Sequence, residues 1–223
     1  MPTVTKDILL KGAWYAIEQC GLLLQHAVTL HDAKAYSTAV AVALFAREEL
    51  GRYKILLDFW ERAEGKGKTP TVDEIKKACD AHEEKQRRAQ LSIMYRADGP
   101  GPLLDLLRAR GRPGTPENIQ AKKAIEKIDK TTIKRTSKNR HLTRMKALYV
   151  DLNDSGAVWN RPCEISARQS FDCLNHAAND YAGQQDRLQR GMVDASLGAA
   201  LEAWPERPEL PRPVWPDPKG FIA

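Results

Sequence analysis

From Ala33 to Glu64 the chain runs without a proline and keeps apolar residues on more than one side of a helix. Within that run Ala39, Val40, Ala41, Val42, Ala43, Leu44 and Phe45 leave no polar face at all. A helix that is apolar all round has to be covered all round, so this segment predicts the centre of a helical bundle.

The neighbouring segments supply the cover. Leu9, Ala13, Ile17, Cys20, Leu24 and Val28 recur every three or four residues and describe one face of a first helix from Lys6 to about His31. Thr71 followed by Glu74 has the form of a capping box opening a third helix at Val72. Its inward face would be Ile75, Ala78, His82, Ala89 and Ile93. The stretch 98–118, with its prolines and glycines around a short LLDLLRAR run, reads as an irregular insertion. At 148–160 the period changes and an Asn-Asp-Ser-Gly turn is flanked by β-formers, which predicts a small hairpin. A last helix from about Ser166 to Leu201 would turn Phe171, Leu174, Ala178, Tyr181 and Leu188 inward. The expected fold is all-α: one domain over 1–203 with four to five helices and a small β element before the last, then a proline-rich extended tail over 204–223.

At 223 residues with 42% hydrophobic content, such a domain can bury a core without staples. Cys20, Cys79, Cys163 and Cys173 lie far apart, with no Cys-x-x-Cys pair, so neither a metal site nor a disulfide framework is expected. The N-terminus mixes charges into its apolar residues and lacks a signal-peptide pattern. The longest apolar stretch is far short of a membrane span. A cytoplasmic protein with no cofactor and no membrane partner is the expectation.

The net charge of +6 is not spread evenly. Ten cations fall between Ile119 and Lys146, namely Lys122, Lys123, Lys127, Lys130, Lys134, Arg135, Lys138, Arg140, Arg144 and Lys146, against Glu126 and Asp129. That segment carries +8 and the rest of the chain −2. Localised charge of this kind suits phosphate neutralisation, although a lysine-rich helix is equally often a plain solvated face.

Three further features bear on chemistry. Glu49 shares a stripe of the second helix with Thr38, Val42, Phe45 and Leu56, so its carboxylate would enter the bundle and need a partner there. Glu48 falls on the next stripe and would pair with Arg52. His82, on the third helix's apolar face, is the natural partner for Glu49; His31, at the end of the first helix, ranks below it. In the basic segment Arg135 precedes His141 by five intervening residues, close enough for both to address one phosphate, the imidazole moving a proton and the guanidinium steadying charge. With 18 arginines and five histidines about one such spacing arises by chance, so its basic surroundings carry the weight.

Taken in order, AVALFAREELGRYKILL, the HEEK at 82–85 and RMKALYVDLNDSGAVWNRP resemble the AbiV family of abortive-infection proteins, which belongs to the HEPN superfamily of helical bundles. Arg52 stands where the family pattern has lysine. The resemblance implies a phage-defence protein that halts growth of the infected cell by acting on RNA, as a homodimer, with metal-independent ribonuclease chemistry in many superfamily members. On that reading His141 is the acid/base, Arg135 or Arg144 the phosphate clamp, Glu49 with His82 an interior pair, and the cations of the basic segment bind RNA. The competing class is a non-catalytic sensor or adaptor triggered by a phage protein; a third is a DNA-binding surface without catalysis.

Overall fold

The structure is a computed structural model that describes residues 2–91, 134–152, 158–191 and 195–217, with positions 116, 119, 120, 123 and 193 besides. Apart from position 116, the insertion expected at 98–118 lies outside the described residues. Among the described residues seven α-helices hold most of the chain: α1 (Lys6–Asp32), α2 (Tyr36–Lys66), α3 (Val72–Asp80), α4 (His82–Leu91), α5 (Lys134–Leu148), α6 (Ala167–Gln189) and α7 (Ala195–Glu202). Two short strands, β1 (Asp151–Leu152) and β2 (Trp159–Asn160), pair antiparallel with Leu152 opposite Trp159. The all-α class and the small hairpin are as the sequence predicts.

The central helix is α2, against which α1, α4, α5 and α6 all pack. Ala39, Val40, Ala41, Ala43, Leu44 and Ala46 are each 2% exposed or less. These side chains are mostly alanine, so the surrounding helices can come close, and the larger residues of α1, among them Leu9, Trp14, Ile17 and Leu24, fill the space between.

Two helices expected to be continuous are broken, the first where packing overrides local propensity and the second at a glycine. The third helix opens with the predicted capping box, Thr71 Oγ1 accepting from the Glu74 backbone N–H at 3.2 Å and Glu74 Oε2 accepting from the Thr71 N–H at 2.8 Å. It stops at Ala81, which is extended at φ −74° and ψ 98°. The chain resumes as α4 in a direction that lays Lys85 against α2. An ideal Cβ at Gly51 would sit 1.9 Å from the Lys85 carbonyl oxygen, so only glycine permits this approach. Gln86, fully buried beside it, donates from Nε2 to the Leu44 carbonyl at 2.9 Å. The last helix likewise opens at a capping box, Ser166 with Gln169, but ends at Gln189; Gly191 follows at φ +62° before α7 begins.

The hairpin is tied to α5. Asn160 Nδ2 donates to the carbonyls of Lys146 at 2.9 Å and Tyr149 at 3.2 Å, meeting acceptors that the last turn of a helix leaves open. The proline-rich segment is extended, and over 204–217 it docks on the bundle. Trp14 Nε1 donates to the Pro208 carbonyl at 2.7 Å, Tyr181 Oη to that of Pro211 at 2.6 Å, and Trp215 Nε1 to Asn179 Oδ1 at 3.2 Å. No helix among the described residues is long and apolar enough to cross a membrane.

Replacing Gly51 with alanine should push α4 off α2. The expected cost is about 1–3 kcal/mol, as for overpacking in other cores, read as a lower urea midpoint. An unchanged midpoint would mean that α4 does not lie on α2 in this way.

Candidate functional site

On α2, Glu48 follows Ala41 and Leu44 along the buried stripe that faces α4 and α5, and its side chain is 3% exposed. A carboxylate there costs several kcal/mol unless cations or donors reach it. Three do. His82 Nδ1 lies 2.6 Å from Oε2, Lys85 Nζ lies 3.3 Å from the same oxygen, and Arg144 Nη1 donates to Oε1 at 2.9 Å. Lys85 and Arg144 are themselves buried, whereas the His82 side chain is 47% exposed.

The two helices that flank Glu48 contribute in the same way. α4 presents His82 and, three residues on, Lys85; α5 presents His141 and, three residues on, Arg144. Residues three apart share a helix face, so each helix that brings a cation to the carboxylate brings an imidazole with it. The two rings lie parallel within 19°, with centroids 6.0 Å apart. Arg144 spans the group: its Nη2 is 3.3 Å from His141 Nδ1, its Nη1 is 3.2 Å from His82 Nδ1, and its guanidinium lies over the Phe45 ring at 5.2 Å.

These distances assign protons. His82 Nδ1 cannot both donate to Glu48 and accept from Arg144. The 2.6 Å contact with a carboxylate is the stronger bond, so Nδ1 carries the hydrogen and Nε2 of neutral His82 keeps its lone pair. Arg144 can only donate, so His141 Nδ1 accepts and neutral His141 carries its hydrogen on Nε2. One imidazole is thereby set to take a proton and the other to give one. Lys85 and Arg144 outweigh Glu48 by one positive charge, which favours an anion.

Several placements differ from expectation. The interior carboxylate is Glu48, not Glu49. Glu49 lies half-buried on the stripe that begins with exposed Thr38, and it pairs with Arg52 at 2.9 Å, the partner expected for Glu48. Burial raises the Glu49 carboxyl's pKa, with Arg52 and then Lys85 opposing. His82 is not on the apolar face of a long third helix; the break at Ala81 makes it the first residue of α4. Arg144 and Arg140 do not stand on an open basic strip. The inner stripe of α5 is Ser137, Arg140, Arg144 and Ala147, and Arg144 is 6% exposed. Lys123, Lys138 and Lys146 are exposed. Lys122, Lys127 and Lys130 lie outside the described residues, as do the side chains of Lys134 and Arg135. On the continuous α5 helix, position 135 is about 120° round the axis from 141, whereas 144 is about 60° from it; the arginine brought to His141 is Arg144. His31 is buried elsewhere, its Nδ1 2.9 Å from Ser170 Oγ.

The family model HEPN_AbiV, described as AbiV, matches residues 9–182, well over half of the chain. The chain belongs to the AbiV family. No curated protein and no solved structure matches it. The AbiV match runs from α1 into α6 and contains Glu48, His82, Lys85, His141 and Arg144, while the docked 204–217 segment falls beyond it. In this AbiV chain Lys85 and Glu48 are the site residues that periodicity alone misses. Gly51 was the available signal: three residues after Glu48, it marks the face on which another backbone comes close.

The two adjacent glutamates should separate cleanly. Glu48→Gln leaves two buried cations short of a counter-charge and should cost about 3–5 kcal/mol. Glu49→Gln, at a partly exposed pair, should cost no more than about 1 kcal/mol. Urea denaturation of the two variants measures both; equal losses would place the wrong carboxylate at the centre of the network.

Proposed function

We propose that this chain is an abortive-infection effector that binds RNA and cleaves it at the His82/His141 site by acid–base chemistry. The observation that carries this reading is the pair of parallel imidazoles whose Nδ1 atoms meet Glu48 and Arg144. In the proposed step His82 Nε2 takes the proton of a ribose 2′-hydroxyl as O2′ bonds to phosphorus. The bond from phosphorus to O5′ breaks, and the leaving oxygen takes the Nε2 proton of His141. The products are a 2′,3′-cyclic phosphate and a 5′-hydroxyl, so protons and electron pairs balance. Lys85 and Arg144 supply the positive field in which the phosphorane charge develops. Exposed Lys138 and Lys146, on the same helix as His141, hold the strand by phosphate contacts.

The active form on this reading is a homodimer. Leu142, Met145, Tyr149, Val150 and Trp159, between 37% and 66% exposed, form an apolar surface on the outer side of α5 and the hairpin. It is continuous with His141, so a second copy seated there would bring two sites together. Tyr149→Asp with Trp159→Asp should convert a dimer to a monomer in sedimentation analysis; an unchanged mass would reject this surface.

His141→Ala and His82→Ala should each lower RNA cleavage by about 10²- to 10⁴-fold, the usual worth of a general acid or base, with helical circular dichroism unchanged. Full cleavage in either variant would remove that imidazole from the chemistry. Intact RNA with the parent protein would favour the adaptor reading, in which the Glu48 network only clasps helices and the chain meets a phage protein.

A further inference from the structure

The strap over 204–217 is seated on the bundle by side chains that no step of the RNA chemistry uses. Trp14 Nε1 of α1 donates to the Pro208 carbonyl at 2.7 Å, and Tyr181 Oη of α6 donates to the Pro211 carbonyl at 2.6 Å. Gln185, one turn further along α6, reaches the Leu210 and Pro211 carbonyls from Nε2 at 3.4 Å and 3.3 Å. The carbonyls of Pro208 and Pro211 are three residues apart, one turn of a polyproline II helix, so both leave the same side of the strand. Glu206, Glu209, Arg212 and Trp215 repeat the same interval and are all exposed. A proline-rich strand laid against aromatic side chains is how grooves recognise Pro-x-x-Pro segments.

Seat and occupant differ in how firmly they are held. Trp14, Tyr181 and Gln185 are buried. Gly21 lets the Tyr181 ring and Pro211 come down together on α1, where an ideal Cβ would stand 2.5 Å from the phenol oxygen and 3.0 Å from the Pro211 Cβ. Within 204–217, by contrast, only Pro216 is buried. A cavity of about 470 Å³ also stays open between Trp14, Leu188 and Leu201 on the bundle and Pro205, Pro208 and Leu210 on the strap. A segment that buries so little opens at far lower cost than the bundle beneath it, and it leaves a row of fixed donors behind when it does.

We propose that the groove of Trp14, Tyr181 and Gln185 is a docking site for a proline-rich segment of another protein, which enters by displacing the strap. The strap itself displays the chemistry of that partner: an extended Pro-x-x-Pro segment whose carbonyls, one turn apart, accept from the indole and the phenol. Being tethered, the strap has a high effective concentration at the groove, so it keeps the site closed until a tighter-binding segment arrives. The site is independent of the RNA reading. Trp14 and Tyr181 lie within the AbiV match, whereas the strap lies beyond it.

The probe is a fluorescein-labelled peptide with the sequence of residues 204–217, added to the full chain and followed by anisotropy. The parent protein should bind it weakly. Arg207→Ala with Trp215→Ala removes the strap's bonds to the Leu201 carbonyl and to Asn179 and should tighten peptide binding about tenfold, the worth of one charge-assisted bond. In that background Tyr181→Phe, which deletes only the hydroxyl, should loosen binding about fivefold. A peptide carrying Pro208→Ala and Pro211→Ala loses its pre-set backbone and should bind about tenfold more weakly. Helical circular dichroism should be the same for every variant. No binding to the strap-weakened chain, or binding indifferent both to Tyr181→Phe and to the two prolines, would overturn the groove. A sedimentation mass that falls when the peptide is added would put the strap of a second copy there and overturn the separate partner.

Discussion

A carboxylate closed inside a helical bundle has to draw cations to it, and around Glu48 that requirement arranges three helices. Lys85 arrives from α4 and Arg144 from α5, each nearly as buried as the glutamate. Neither helix reaches α2 through an apolar stripe of ordinary width. α4 is HEEKQRRAQL, and its inward residues include Lys85 and Gln86; the inward stripe of α5 is half arginine. Their attachment therefore leans on charge and hydrogen bonding to an unusual degree. Gly51 makes it possible by letting the α4 backbone settle where a methyl group would collide.

The same geometry explains why two imidazoles meet. Nothing attracts one neutral histidine ring to another strongly enough to fix a site. Here each ring is carried by a cation three residues away on its own helix, and the cations converge because Glu48 needs them. The interior half of the network holds the bundle together, while its outer half, the two rings, remains open. A bonded Nδ1 on each ring fixes its tautomer and leaves Nε2 as the free atom. Structural and chemical readings of Glu48 are thus not rivals in principle: one carboxylate can serve stability and orient a base.

How far this was legible in the sequence depended on what each signal encoded. The wrap-around apolar pattern of Ala39–Phe45 reports burial on all sides, and it located α2 and the fold class. For the same reason it could not say which side mattered, since a helix buried everywhere has no polar face to give its phase. Choosing Glu49 over Glu48 is a 100° error in that phase. The stripe with Thr38 at its head was the less buried one, and the polar residue was the clue. The break after Asp80 was hidden because Ala81 is no helix breaker and the close approach of Lys85 to Gly51 accompanies it, whereas the break after Gln189 had a signal in Gly191, which takes φ +62°. Between the two arginines left open, Arg135 and Arg144, the i, i+3 relation puts Arg144 on the face of His141, while the Arg135 side chain lies outside the described residues.

The 204–217 segment shows how the part of the chain beyond the family match is joined to the core. Proline has no N–H to give, so an extended proline-rich strand offers the bundle mostly carbonyl acceptors. The surface that receives it supplies donors at matching places, an indole from Trp14, a phenol from Tyr181 and an amide from Gln185. None of these side chains belongs to the Glu48 network. Tyr181 nevertheless follows Asp180 directly, and Gln184 on the next turn donates to the Tyr53 hydroxyl at 3.1 Å. Clamping Tyr181 between the strand and Gly21, whose Cβ would stand 2.5 Å from the phenol oxygen, sets the height of α6 against α1 and α2. That height brings Asp180 to Arg47, the residue next to Glu48 on the neighbouring stripe. The strap thus docks on the helix that carries Asp180, the partner of Arg47, and makes no contact with the Glu48 network itself.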